Sequence, residues 1–294
     1  MIIKFINKII NKFFKVDILL KQLNEIKILN GINILDNKKI DGSNINKYEL
    51  KIFSQFGEDG VIDFLVKKLE IKSKNFIEFG VENYEEANTR FLLESRNWNG
   101  IIFDSSNEHI KFIKNQNYFW RQNLIAKCEF ITAENINPLI KEYNSDKEVG
   151  LLSIDVDGND YWIWKAIDVI TPKIVVIEYN ARLGKEKSIV TPYKKNFNRI
   201  KEHHSSIYFG ASLMAIYELA KNKNYSLVGT NINGNNAFCV HNDILKNSNL
   251  KSLNPKECFH ENSFNELRDE KGNILDRDEK KEKEILSKMD FVEP

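Results

Sequence analysis

Glu78 and Asp104 close two short apolar runs, Asn75-Phe-Ile-Glu-Phe79 and Gly100-Ile-Ile-Phe-Asp104, and stand 26 residues apart. An apolar run that meets Gly80 and then a Glu-rich segment reads as a buried strand turning into a helix. In an open parallel sheet, ligands settle beyond the carboxyl ends of the strands, where the strand order reverses. Two neighbouring strands that each deliver an acid there suit a nucleoside, since a carboxylate accepts hydrogen bonds from both ribose hydroxyls. Each acid alone also has a plain structural role: Glu78 as a strand end, Asp104 as the N-cap of the next helix. Their matched placement favours the pocket.

A second group of acids lies further along. Asp155 and Asp157 follow Leu151-Leu-Ser-Ile154 and precede Gly158-Asn-Asp160, and Glu178 and Asn180 end Val175-Val-Ile-Glu-Tyr-Asn180. A carboxylate at such a strand end can act as general base toward an acceptor hydroxyl, and burying it without a role or partner is costly. Asp157 serves equally well in an Asx turn with Gly158 and Asn159. Asp155 and Asp157 are the one pair whose spacing would offer a hard divalent ion two ligands, but no histidine joins them at ligand spacing. A divalent ion held by Asp155 and Asp157 is therefore the lesser expectation beside a metal-free site. The segment 181–207 carries Lys185, Lys187, Tyr193, Lys194, Lys195, Arg199, Lys201, His203 and His204. That content suits an anionic or polyhydroxylated acceptor, and equally a solvated loop. His204 is the base candidate of its pair by nearness to Tyr208-Phe-Gly-Ala-Ser212.

Positioning these groups requires alternating elements. Strands are expected at 75–80, 100–104, 128–133, 150–156, 173–180, 225–231 and 237–242, with helices at 85–96, 107–115, 134–143, 159–168 and 211–223 between them. Asp59 is placed to cap a helix over 61–68. Such alternation predicts a doubly wound α/β sheet. The last two strands are separated only by Asn231-Ile-Asn-Gly-Asn-Asn236, too short for a crossover, so they form an antiparallel hairpin. Three regions follow: a helical extension and linker at 1–53, the α/β domain at 54–245, and a charged, partly helical tail at 246–294.

The 294 residues suffice for a full core. With 43 Lys+Arg against 42 Asp+Glu, no basic surplus exists to neutralise phosphates, which argues against nucleic-acid binding. Cys128, Cys239 and Cys258 lie far apart without C-x-x-C spacing and read as reduced thiols in a cytoplasmic protein. Lys4, Lys8, Lys12 and Lys15 interrupt every apolar run near the N-terminus, so that segment reads as a basic amphipathic helix rather than a membrane span. Its apolar face has two expected partners, protein (its own domain or a second subunit) and a membrane surface, with protein favoured.

Four segments, Phe76-Ile-Glu-Phe-Gly-Val-Glu-Asn-Tyr-Glu-Glu-Ala-Asn-Thr89, Leu152-Ser-Ile-Asp-Val-Asp-Gly-Asn-Asp-Tyr-Trp162, Val175-Val-Ile-Glu-Tyr-Asn180 and Tyr208-Phe-Gly-Ala-Ser-Leu213, resemble in order the landmarks of FkbM-type S-adenosylmethionine-dependent methyltransferases and their relatives in bacterial surface-glycan clusters. The resemblance runs from about Gln55 to Val240. It implies a Rossmann-like class I methyltransferase fold: a seven-stranded, mostly parallel sheet ending in an antiparallel hairpin, with a helical N-terminal extension. It implies S-adenosylmethionine as cofactor, held by Glu78, Gly80, Asn83, Asp104, Glu134 and Asn135. Asp155, Asp157 and His204 would carry the chemistry, and Glu178, Asn180 and Tyr208 would face the acceptor. Asn83 stands where a second glycine is typical of the family. The implied reaction is O-methylation of a sugar or small phosphorylated precursor of a surface or capsular polysaccharide. A phosphoramidate or amine acceptor, a non-catalytic adaptor with this fold, and a nicotinamide-dependent oxidoreductase are the competing readings; the last lacks its G-x-G-x-x-G turn.

Overall fold

The computed structural model describes residues 2–14, 16–40, 42, 44–144 and 148–294, and the side chains of 2, 11–14 and 17 are not described. The chain divides into two compact units, 1–39 and 40–294. The first contains helices α1 (Ile2–Phe14) and α2 (Val16–Asn37). Ile3, Phe5, Ile6, Ile9 and Ile10 of α1 are exposed, and so are Leu19, Leu20, Leu23, Ile26 and Leu29 of α2. Among the described residues no helix is long and apolar enough to cross a membrane. Of the residues expected to form the linker, Asp41 and Ser43 lie outside the described set, as does Lys15 of the basic helix.

The second unit is built on seven strands: β1 (Asn75–Phe79), β2 (Asn99–Asp104), β3 (Leu124–Cys128), β4 (Glu148–Ile154), β5 (Thr171–Glu178), β6 (Tyr225–Thr230) and β7 (Asn236–His241). Their order is β3-β2-β1-β4-β5-β7-β6. The four pairings among β1 to β5 are parallel, and β7 runs antiparallel to both β5 and β6. This is the mixed α/β sheet expected from the sequence. Strand order reverses between β1 and β4, so the crevice at their carboxyl ends is the switch point.

One strand sits elsewhere than expected. β3 is Leu124–Cys128, not 128–133, because parallel pairing of Gly100 with Leu124 through Asp104 with Cys128 ends both strands at the same level. The residues beyond then form the loop that walls the crevice. Asp59 is likewise not a cap. It lies inside helix α3 (Glu58–Lys68), whose N-cap is Gly57. One of its carboxylate oxygens accepts from the amides of Ile52, Phe53 and Ser54 and from the Ser54 hydroxyl, folding the entry loop onto the helix.

Period-two alternation sorts each strand between two apolar layers. Ile77, Phe79, Phe103, Leu152, Ile154, Val175 and Ile177 pack with helices Ile136–Tyr143, Asp160–Ala166 and Leu213–Asn222. Phe76, Ile102, Leu151, Ile174, Val176, Phe238 and Val240 pack with Val61, Ile62, Phe64 and Leu65 of α3. Glu78, Asp104, Ser153, Glu178 and Asn236 continue this second set toward the carboxyl ends. The register pairs Glu78 with Ser153 and Glu178 with Asn236. One face of the sheet thus gathers a row of polar groups at the switch point.

Gly80 makes the closest approach. A Cβ there would stand 1.5 Å from the Asp155 carbonyl oxygen, and its φ is +73°. Gly80→Ala should therefore lower unfolding free energy by more than about 2 kcal/mol, since both the contact and the backbone angle oppose a side chain. Urea denaturation measures this, and an unchanged midpoint would refute the close packing of β1 against the 155–157 turn.

Candidate functional site

The crevice is made by backbone turns after β1, β4 and β5. The part beside β2 is lined by Gly80, Glu82, Asp104, Phe130, Asp155 and Asn159, and its deeper part by Glu78, Asn88, Glu178, Asn236, Phe264 and Glu266. Gly80, Glu82, Asp155 and Asp157 border both. After Gly80 the left-handed positions are Glu82 (φ 47°) and Tyr84 (φ 63°), with Asn83 between them. The half-buried Asn83 side chain accepts from the Glu85 amide and donates to the Glu85 carboxylate, and it does not line the crevice.

Glu78 is buried, and protein groups take both carboxylate oxygens. Oε1 accepts from the Asn88 amide at 2.9 Å and the Ser153 hydroxyl at 3.3 Å, and Oε2 accepts from the Thr89 amide and hydroxyl. Burial raises its pKa above the ordinary value, against these hydrogen bonds. It holds the 88–89 turn under the crevice. Asp104 lines the crevice from β2; Oδ2 accepts from the Glu82 amide at 2.8 Å and Oδ1 from the Ser106 amide at 2.7 Å. His109 Nδ1 lies 3.1 Å from Oδ1.

Asp155 and Glu178 meet in the deeper part, joined by Asp160, and one oxygen of each lies within 4.8 Å of the others. Burial pushes Asp155 and Glu178 well above the ordinary carboxylate range, with neighbouring carboxylates adding to the effect. Asp160 is pushed up to about 6 by burial, although its oxygens accept from the Val156 and Gly158 amides. Asp157 departs from the pair expected with Asp155. It is a left-handed turn residue (φ 58°), largely exposed, and bonds to Arg199 Nη1 at 2.8 Å. Arg199 Nη2 bonds to Glu266 at 2.6 Å, and the guanidinium stacks on Phe209 at 4.1 Å. Arg182 bonds the other Glu266 oxygen at 2.9 Å. These two arginines draw the C-terminal segment over the crevice, where Phe264 stacks on Phe56 at 5.2 Å.

Several expected site residues are engaged elsewhere. His204 is exposed, lies ring to ring with His203 at 4.2 Å and does not line the crevice. Asn180 donates to the Ile207 and Phe209 carbonyls and accepts from the Arg182 amide, fastening the loop after β5. The Tyr208 hydroxyl donates to the Asp290 carbonyl. Glu134 receives the Tyr193 hydroxyl at 2.8 Å, and Asn135 accepts from the Thr132 amide and donates to the Phe130 carbonyl. These last two shape the loop whose Phe130 and Ile131 reach the crevice. The lysines of 181–207 stand away from it as well: Lys194 pairs with Glu202 and Lys185 sits over Phe259.

Sequence reading missed Asp160, Asn236 and Glu266. Asp160 carried a signal, five residues after Asp155 at the start of a helix. Asn236 becomes visible only through its pairing with Glu178, and Glu266 only through tertiary contact. Around the crevice three buried acceptor oxygens have no hydrogen-bond partner among the described residues: Asn159 Oδ1, Glu178 Oε2 and Asn236 Oδ1. A ligand that fits must bring donors and positive charge.

No family model matches this sequence, and no curated protein matches it. Among solved structures, the chain is similar to an O-methyltransferase from Bacillus cereus in complex with S-adenosylhomocysteine, at 13% identity and a TM-score of 0.41, over 72% of this chain and 88% of that one. It is also similar to an S-adenosylmethionine-dependent methyltransferase from Clostridium acetobutylicum at 10% identity, over 63% and 90% of the two chains, with a TM-score of 0.38. A putative O-methyltransferase from Klebsiella pneumoniae matches at 13% identity, over 61% and 78%, with a TM-score of 0.38.

The acid cluster has a consequence for stability. Glu178 titrates well above its ordinary 4.5 in the folded protein, so the folded state holds a proton that the unfolded chain releases. Its contribution is present below the unfolded value and lost as pH rises. His203 and His241, held low by burial, act in the opposite direction through the same window. The difference between wild type and Glu178→Gln isolates the carboxyl. In chelator-treated samples the variant should gain stability over wild type at pH 7.5, and the gain should shrink by pH 5.5. A gain that grows on acidification would contradict a raised Glu178.

Proposed function

We propose that this protein is an S-adenosylmethionine-dependent methyltransferase whose cofactor lies across the carboxyl ends of β1, β2 and β4. The observation that carries the reading is the acid-lined crevice at the switch point of a seven-stranded sheet with β7 reversed. The unpartnered oxygens of Asn159, Glu178 and Asn236 suit a ligand with a sulfonium, an ammonium and several hydroxyl and amine donors. When bound, the cofactor supplies an already activated methyl group, leaving the protein to align the acceptor and remove a proton.

Each residue then has a defined task. Gly80 lets the backbone come close to the cofactor's amino-acid portion. Glu78 acts through the 88–89 turn it holds. Asp104 presents lone pairs to the ribose while fixing the Glu82 amide in place. Phe130 and Ile131, rather than Glu134 and Asn135, offer the face for the adenine. Asp155 borders both parts of the crevice and is the group placed to take the acceptor's proton. Glu178, Asn236, Phe264 and Glu266 border the acceptor.

The FkbM-like resemblance supports a sugar hydroxyl of a surface-polysaccharide precursor as acceptor, with the protein working in the cytoplasm. Six carboxylates besides Glu78 line the deeper part, namely Glu82, Glu86, Asp155, Asp157, Glu178 and Glu266, and Arg199 is already paired. That lining favours an uncharged polyhydroxy acceptor over a phosphorylated one.

Calorimetric titration of S-adenosylhomocysteine tests the reading. Wild type should bind in the micromolar range, about −8 kcal/mol, and Asp104→Asn should bind at least tenfold more weakly while keeping its circular dichroism. Asp155→Asn should retain binding. Absence of binding by folded wild type at millimolar ligand would overturn the proposal in favour of a non-catalytic protein with this fold.

A further inference from the structure

We propose that α1 docks in the plane of an anionic phospholipid bilayer, with its apolar side chains among the acyl chains and its lysines at the headgroups. Ile3, Phe5, Ile6, Ile9 and Ile10 recur along this helix with Lys4 and Lys8 between them. At about 100° per residue the five apolar positions fill one arc of roughly 160°, and Lys4, Asn7 and Lys8 stand on the opposite side. The arc is bare. Ile3 is 75% exposed, Phe5 65% and Ile6 47%, and Ile9 and Ile10 are exposed as well. A contiguous apolar surface of this kind marks an interaction site.

Charge selects the occupant. Residues 1–16 carry Lys4, Lys8, Lys12 and Lys15 and no acid. A solvated helix resting on protein gains from mixed signs spaced three or four residues apart, whereas lysine alone on the polar face repels itself in water and is neutralised by phosphate headgroups. Helix α2 supplies the contrast. There Asp17, Glu25 and Asp36 accompany Lys21 and Lys27, and the apolar residues follow no single face.

Shape agrees with charge. A helix that pairs with a second copy of itself needs only a narrow apolar seam flanked by complementary charges. Here the apolar arc is nearly half the circumference, and pairing two copies of α1 would bring lysines together with no acid on either helix to offset them. A broad apolar half-cylinder fits a planar interface instead. With 13 residues the helix is about 20 Å long, short of the roughly 30 Å hydrocarbon core, so it lies along the surface rather than across it.

The test is co-sedimentation of the full chain with vesicles of equimolar phosphatidylglycerol and phosphatidylcholine, against vesicles of phosphatidylcholine alone. Wild type should pellet with the first and not the second, and high salt should weaken the binding. The double variant Lys4→Gln, Lys8→Gln should bind the anionic vesicles at least tenfold more weakly, and Ile6→Asp should lose binding, both with native circular dichroism. No binding to anionic vesicles, equal binding to both vesicle types, or undiminished binding by Ile6→Asp would overturn the proposal. A dimer in sedimentation velocity that Ile6→Asp dissociates, without vesicle binding, would assign the face to a second copy instead. The inference does not rest on the methyltransferase reading: vesicle binding without S-adenosylhomocysteine binding removes that reading alone, and the converse removes this inference alone.

Discussion

The constraint on which the rest depends is the crowding of negative charge on one face of the sheet. Period-two alternation brings Glu78, Asp104, Glu178 and Asn236 to the side packed against α3, and Asp155 follows Leu151 and Ser153 in the same phase. Apolar layers above and below exclude water from most of these groups, so each carboxylate must find donors, a proton or a cation. The neighbouring loops differ in which of these they provide. Glu78 receives four donors from the 88–89 turn and Ser153, and Asp104 receives two amides. Asp155 and Glu178 are left with each other.

That division explains the order of the turns. The carboxylates with full complements of donors are the ones that build backbone. Asp104 joins the loop after β1 to the loop after β2, and Asp59 folds 52–54 onto α3 in the same way. Glu58, at the start of α3, accepts from the amides of Asn231 and Asn236 and so ties the hairpin of β6 and β7 to the same edge. The carboxylates without donors sit where these turns leave an opening. Acids that build turns and acids left without donors thus share one row and differ only in what the adjoining backbone offers.

Much of this was legible in the sequence because strand ends announce themselves locally. The apolar runs ending at Glu78, Asp104 and Glu178 pointed to the sheet class and the main acids, and the short connection Asn231-Ile-Asn-Gly-Asn-Asn236 pointed to the hairpin. The third strand was misplaced because Leu124-Ile-Ala-Lys-Cys128 is short and mixed, and only its register against β2 fixes where it ends. Asn83, His204, Asn180 and Tyr208 carry side chains that could serve a site, yet local or tertiary hydrogen bonds claim each of them or its surroundings. Residue type states a capability; geometry states whether the capability is already spent. Glu266 lies outside any local pattern, since it is brought in by Arg182 and Arg199 from more than sixty residues away.

The C-terminal segment completes the electrostatic argument. Arg199 touches Asp157 on one side and Glu266 on the other, while Arg182 grips Glu266 and Glu282. Within this alternating chain of charges, Arg199 is the only cation lining the crevice among the described residues, and it anchors the segment as well. An anionic acceptor could be neutralised there only by drawing Arg199 away from both partners, which would strand two carboxylates and loosen the segment carrying Phe264. A neutral acceptor leaves the chain intact. Its roof and its charge selectivity therefore come from the same pair of guanidinium groups.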